Sequence, residues 1–106
     1  RIFQSFIFSL SQNFRTHHSV SFYAAEQCLT PRYFSTIVRE KSGRNALQWI
    51  MMFIIAEAKK LLSDPDPSIK EIAETLGFSN QSFFGRYFKQ YVGLSPMAFR
   101  SSGAEE

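Results

Sequence analysis

The sequence predicts an all-α fold of seven helices. Its 106 residues are 44% hydrophobic and 20% charged, the usage of an ordinary globular domain with enough apolar surface to form a core. Apolar residues recur at the three- and four-residue spacing of amphipathic helices, and few stretches alternate with the period of two that is typical of strands. Most of the candidate helices are bounded by residues that cap a first turn or end a last one.

Three helices are predicted in the N-terminal half. The first is indicated by apolar residues that recur every four positions, at Ile2, Phe6, Leu10 and Phe14. A short second helix is predicted at about 21–27. The third begins at Thr30-Pro31, because the threonine hydroxyl can cap a free N–H and proline at the first helical position loses no bond. Gly43 ends that third helix.

Four further helices are predicted after it, at about 46–62, 68–76, 79–91 and 96–100. Asn45 with Gln48 and Ser68 with Glu71 have the spacing of capping boxes, in which each side chain accepts a hydrogen bond from the backbone of the other residue. Ser79 is predicted to cap the sixth helix. The helix at 46–62 is the longest, and the prolines that follow it stop it sharply.

The chain contains the same helix-turn-helix pattern twice. Each copy has a small residue, a large apolar turn residue and a hydroxyl cap, which are Ala24, Leu29 and Thr30, then Ala73, Phe78 and Ser79. The offset between the copies is 49 up to the cap and 50 after it, so the second turn has one extra residue.

In both copies the second helix is amphipathic. Its predicted inner face is apolar, with Phe34, Ile37 and Val38, then Phe84, Phe88 and Tyr91. Its outer face is polar, with Arg32, Ser35, Thr36 and Arg39, then Gln81, Ser82, Arg86 and Lys89.

The positive charge lies in the same two places. Residues 31–44 and 77–100 each carry a net charge of +3, whereas the remainder of the chain carries −3. Two separate positive blocks are typical of a polyanion partner with two contact points, although chance clustering on solvated helix faces would look the same.

At this level of detail the chain resembles the AraC/XylS-type bacterial transcription regulators. The match is carried by residues 58–62, 68–73, 76–89 and 93–100, and more weakly by 29–43, within 20–100. The resemblance implies a DNA-binding domain at 1–104, with helix-turn-helix units at about 20–43 and 68–92, a linking helix at about 45–62 and a loose tail at 101–106. It also implies a sensor or dimerisation domain before this module, and we expect the chain to be a fragment.

Three positions depart from the family pattern. Phe53 stands on the linking helix where arginine is frequent, and we expect it to pack or to face a partner. Thr36 stands where arginine is common, which predicts weaker or different readout by the first copy. Cys28 takes the turn position that Gly77 fills in the second copy, and we expect a less tight turn there.

Side-chain type and position predict the DNA contacts. The candidates for base edges are Arg32, Ser35, Thr36, Asn80, Gln81, Ser82 and Arg86, since arginine suits guanine and glutamine suits adenine. The candidates for phosphates, which position without specifying, are Thr30, Arg39, Lys41, Arg44, Ser79 and Lys89. A linking helix of about 25 Å would hold two unlike readers roughly one DNA turn apart, on an asymmetric site.

Other functions find less support in the residues. His17 and His18 lack further ligands at metal spacing, Cys28 lacks an activating device, and we expect no metal, no cofactor and no enzyme activity. One cysteine suggests the reducing cytoplasm. The longest apolar run, residues 49–56, is too short to span a bilayer, although part of it could meet another domain or RNA polymerase. The alternative is a helical protein-interaction module without DNA binding.

Overall fold

The computed structural model describes residues 1–103, and this part of the chain contains seven α-helices and no strand. The helices are α1 (Ile2–Asn13), α2 (Val20–Glu26), α3 (Pro31–Ser42), α4 (Ala46–Ser63), α5 (Ile69–Thr75), α6 (Gln81–Val92) and α7 (Pro96–Ser102). The all-α class and the number of helices predicted from the sequence are confirmed.

The helices form two compact units. The first, Arg1–Phe53, contains α1, α2, α3 and the start of α4. The second begins at Ile54 and contains the rest of α4 with α5, α6 and α7. Each unit holds one helix-turn-helix pair, α2 with α3 or α5 with α6.

Aromatic rings form the core of the first unit, where α1, α2 and α3 pack against one another. The Phe6 ring lies edge-on to Tyr23 and Phe34, with ring centroids 5.4 and 5.1 Å away. The Tyr23 hydroxyl donates a hydrogen bond of 2.7 Å to the carbonyl oxygen of His17. Burial, with a smaller contribution from the Glu26 carboxylate, raises the pKa of Tyr23 to about 12.

The first half of α4 closes this core. The Phe53 ring lies 5.9 Å from that of Phe14, so Phe53 packs inside the first unit. Of the two expectations for Phe53, packing or facing a partner, the structure supports packing. Trp49 contacts the Phe3 ring at 5.5 Å, and its indole N–H donates to the Ser42 hydroxyl at 2.8 Å. Trp49 and Phe53 of α4 thus make these contacts within the first unit.

In the second unit α6 packs against α5 and α7. Phe84 and Phe88 are completely buried. The Phe88 ring contacts Phe99 at 5.5 Å. Tyr91, which the periodicity assigned to the inner face, is instead 43% exposed, and its ring lies against Tyr87 at the end of the helix. Burial, with a smaller contribution from Tyr91, raises the pKa of Tyr87 to about 12.

Arg100 joins three parts of the second unit. Its Nε donates to the carbonyl oxygen of Leu62 at 3.1 Å, and its Nη2 donates to those of Asp64 and Pro67 at 2.9 and 2.7 Å. These carbonyls belong to the last turn of α4 and to the loop before α5. The positive charge of Arg100, which the sequence groups with the positive block at 77–100, is therefore directed at its own chain.

Most helix ends are those predicted. Thr30 caps α3, and the two capping boxes close with hydrogen bonds of 2.8 to 3.0 Å, between Asn45 and Gln48 and between Ser68 and Glu71.

The prediction that Ser79 caps α6 is wrong, because the Asn80 carboxamide oxygen accepts from the Phe83 N–H at 2.8 Å. Asn80 is thus the equivalent of Thr30, and Ser79 is the extra residue of the second turn. Near the C-terminus, α7 includes Ser101 and Ser102, which the sequence assigned to the tail, whereas 104–106 lie outside the described residues.

Candidate nucleic-acid interface

The turn between the two helices of each pair is built in the same way. The Leu29 N–H donates to the Ala24 carbonyl oxygen at 3.0 Å, and the Phe78 N–H donates to that of Ala73 at the same distance. Between the acceptor and the donor of each bond the backbone passes through a residue with a left-handed conformation, Cys28 in the first turn and Gly77 in the second, as the Schellman motif requires. The turn at Cys28 is as tight as the glycine turn, so the expectation of a looser turn is wrong.

The second helices, α3 and α6, are presented to solvent in the same way. From residue 31 to residue 44, each position has the same degree of burial as the position fifty residues later. The outward positions therefore pair across the repeat, Arg32 with Ser82, Thr36 with Arg86 and Arg39 with Lys89. The two helices therefore have the same pattern of exposed positions but carry different side chains at them.

The structure leaves nearly all the predicted base-contact side chains accessible. Those of Arg32, Thr36, Asn80, Gln81, Ser82 and Arg86 are exposed, and that of Ser35 is half-buried. Thr36 uses its hydroxyl to donate to the Arg32 carbonyl oxygen at 3.0 Å, within its own helix. Arg86 has the longer reach and five donors, so of the two candidates at this position the one on α6 can make more hydrogen bonds.

The predicted phosphate contacts lie near the ends of the same helices. Arg39, Lys41, Arg44 and Lys89 are exposed, as are Thr30 and Ser79. Arg44 also lies over the Trp49 ring, with its guanidinium carbon 5.9 Å from the centroid. Thr30 and Asn80 each hold the N–H of the third helical residue, which leaves part of their oxygen's capacity for an outside donor.

A shallow groove between α5 and α6 adds a residue that the sequence did not single out. Lys70 lines it together with Ala73, Glu74 and residues 79–82. The sequence reasoning concentrated on the second helix of each pair, whereas Lys70 belongs to the first turn of α5. Its place two residues after the Ser68 cap was the signal that could have found it.

Comparison with known proteins places this geometry in a family. A family model described as a helix-turn-helix domain matches residues 23–102, which contain the last four residues of α2 and all of α3 to α7. The chain belongs to the AraC/XylS family. Membership assigns it to a class of transcription-factor DNA-binding domains and not to a class of enzymes.

Relatives of this AraC/XylS-family domain include regulators of sugar operons. The arabinose operon regulatory protein of Escherichia coli is 37% identical over 83 residues, which cover 78% of this chain and 28% of that protein. The melibiose operon regulatory protein of the same organism is 32% identical over 91 residues, or 86% and 30%. The chain thus spans less than a third of the length of these curated relatives.

Solved structures agree with the family. The DNA-binding domain of AdpA, crystallised with a target DNA, superposes with a TM-score of 0.79 at 26% identity and covers 95% of this chain and 90% of that one. The C-terminal domain of AraT, a response regulator from Geobacillus stearothermophilus, superposes with a TM-score of 0.87 at 24% identity, covering 95% and 84%, and supports the fold alone. No helix in the described residues is both long and apolar enough to cross a membrane.

Proposed function

We propose that this chain is the DNA-binding part of a bacterial transcription regulator and that it binds duplex DNA sequence-specifically. The observation that carries the proposal is the repeated presentation of α3 and α6, each exposed, polar and cationic on the face opposite its core. The AdpA domain, which has the same fold, is described as bound to a target DNA.

The proposed mechanism uses α3 and α6 as recognition helices in successive segments of the major groove. Their outward residues differ at each equivalent position, so the site is asymmetric and contains two unlike boxes about one helical turn apart. Arg86 is the first candidate for guanine and Gln81 for adenine, because both side chains make bidentate bonds to those bases. Deforming the DNA to fit both helices would cost roughly 1–6 kcal/mol if the duplex bends.

The exposed cations supply the affinity that does not depend on sequence. Arg39, Lys41 and Arg44 serve the first box, and Lys89, with Lys70 added from the structure, serves the second. Each phosphate that they neutralise makes the slope of log affinity against log salt concentration more negative by about 0.9. We propose a sensor domain as a further partner, because the chain spans less than a third of the length of its regulator relatives. We propose RNA polymerase as another, because the domain belongs to a family of transcription regulators.

The proposal is tested by selecting bound sequences from a random duplex library with this 106-residue chain at moderate salt. We expect enrichment of two unlike boxes about one turn apart. A single enriched box would confine specific readout to one helix, and α3 with Thr36 is the one we expect to drop out. No enrichment, together with no salt-sensitive binding at low salt, would reject DNA binding in favour of a protein-interaction module.

A further inference from the structure

Gly85 lies inside the recognition helix α6, where nothing in the described protein requires a glycine. It follows Gln81 and Ser82 by four and three residues, so it shares their outward face. Its backbone is helical rather than left-handed, since the positive-φ glycines of the described chain lie elsewhere. An added Cβ would meet no other part of the described protein within 4 Å.

This glycine weakens the helix that carries it. Glycine in a helix interior makes the helix less stable than alanine would, because glycine loses more conformational freedom on folding. The equivalent residue of α3 is Ser35, so the fold does not demand a glycine at this point of the repeat. The direct consequence of Gly85 is therefore a missing side chain on the surface that meets DNA.

The space left beside Gly85 is part of a shallow groove with apolar walls. Ile69 at the start of α5 and Pro96 and Met97 at the start of α7 line it together with Gln81, Ser82 and Ser95. Ile69 and Pro96 are buried, whereas Met97 is 56% exposed. An apolar recess thus opens directly beside two of the candidate base-reading side chains.

We propose that this recess accepts the 5-methyl group of a thymine in the box read by α6, so that Gly85 is a specificity-determining residue. The inference rests on the proposed function. Base pairs present donors and acceptors in the major groove, and the apolar group that they add is the thymine methyl. An A·T pair would also offer its adenine edge to the neighbouring Gln81.

The test replaces each thymine of the selected site by deoxyuridine, one at a time, and measures affinity by fluorescence anisotropy. For the unmodified chain we expect one replacement in the α6 box to weaken binding about fourfold, the effect of one buried methyl group. For Gly85→Ala we expect weaker binding to the thymine duplex and no difference between thymine and deoxyuridine at that position, because the new methyl group projects into the space that the thymine methyl would enter.

Two controls separate this role from effects on folding. Gly85→Ala should raise the urea midpoint of unfolding, since alanine is the better helix former, so lost affinity would not reflect misfolding. Ser63→Ala, an exposed and uncharged change on α4 outside both candidate binding faces, should leave the affinity and the fourfold difference in the α6 box unchanged.

Two results would overturn the inference while leaving the proposed function intact. One is specific binding by the unmodified chain with no deoxyuridine-sensitive position in the α6 box. The other is a Gly85→Ala variant that keeps the fourfold difference. Absence of specific binding to any duplex by the unmodified chain would instead reject both the inference and the proposed function.

Discussion

Cys28 and Gly77 occupy the same position in the two helix-turn-helix turns and have the same left-handed backbone, with φ of 58° and 82°. Each N–H donates to the carbonyl oxygen three residues earlier, at 3.0 Å from Cys28 and 3.1 Å from Gly77. Glycine adopts this conformation without steric cost, whereas an L-residue with a Cβ is strained by roughly 1–2 kcal/mol. The first turn therefore holds strain that the second turn avoids.

We expect Cys28→Gly to stabilise the first unit by about 1 kcal/mol, because relief of the strain outweighs the entropy that glycine adds to the unfolded chain. Urea unfolding followed by the fluorescence of Trp49, the single tryptophan, measures this in the first unit. Cys28→Ala retains a Cβ and should give no such gain. Equal midpoints for the glycine variant and the unmodified chain would contradict the strain argument.

The cap of α6 makes a second prediction. Asn80→Ala should destabilise the second unit by about 1 kcal/mol, because the Phe83 N–H loses its acceptor. Ser79→Ala, one residue earlier, should change the free energy of unfolding by less than about 0.5 kcal/mol. Far-UV circular dichroism during urea unfolding distinguishes the two, and the reverse order of effects would restore Ser79 as the cap.

Arg100 makes a third prediction. Arg100→Lys keeps the charge but loses the planar guanidinium that reaches three carbonyl oxygens, and we expect a loss of about 1.5–3 kcal/mol in the second unit. Circular dichroism should show the loss while Trp49 fluorescence, which reports the first unit, changes little. Ser101→Ala, an exposed change in the same helix, is the control. A lysine variant as stable as the unmodified chain would mean that these bonds contribute nothing net.

The fourth prediction separates base reading from phosphate contact. Arg86→Ala should weaken the free energy of binding to the selected site by about 1–3 kcal/mol, and that to unrelated DNA by much less. Lys89→Ala should weaken binding to the selected site and to unrelated DNA alike, and should make the slope of log affinity against log salt concentration shallower by about 0.9. Lys60→Ala removes an exposed cation of α4 outside both recognition faces and should do neither. A uniform loss for Arg86→Ala would reassign Arg86 to a phosphate.

The fifth prediction concerns alkaline pH. The pKa of Tyr23 is about 12 in the folded chain and about 10 when unfolded, so the folded state retains its proton while the unfolded state releases it. This contribution to stability is complete below pH 10 and is lost as pH rises from 10 to 12.

Tyr23→Phe should lower the free energy of unfolding by about 0.5–1.5 kcal/mol at neutral pH, because the hydrogen bond to the His17 carbonyl oxygen is lost. Between pH 9 and pH 11 the variant should lose less stability than the unmodified chain does. Urea unfolding by Trp49 fluorescence at both pH values gives the comparison. Identical pH dependence in the variant and the unmodified chain would exclude Tyr23 as the titrating group.

The local features of this protein could be predicted from the amino-acid sequence. The Thr30 cap, the capping boxes at Asn45 and Ser68, and the glycine at the end of α3 were predictable because each depends on backbone groups within a few residues. The same holds for the repeat and for the exposed face of α6 with Arg86. These local features are sufficient to indicate the AraC/XylS family without any knowledge of tertiary contacts.

Tertiary structure decided the features that depend on distant parts of the chain or on the path of the backbone. In the sequence Arg100 looks like one more surface cation. In the structure, the end of α4 and the loop before α5 bring three carbonyl oxygens within hydrogen-bond distance of its guanidinium. Asn80 and Ser79 are both good caps, and only the backbone path through the longer second turn selects Asn80. The role proposed for Gly85 cannot be predicted from its place in the sequence of α6, because it depends on the groove that residues of α5 and α7 form beside it.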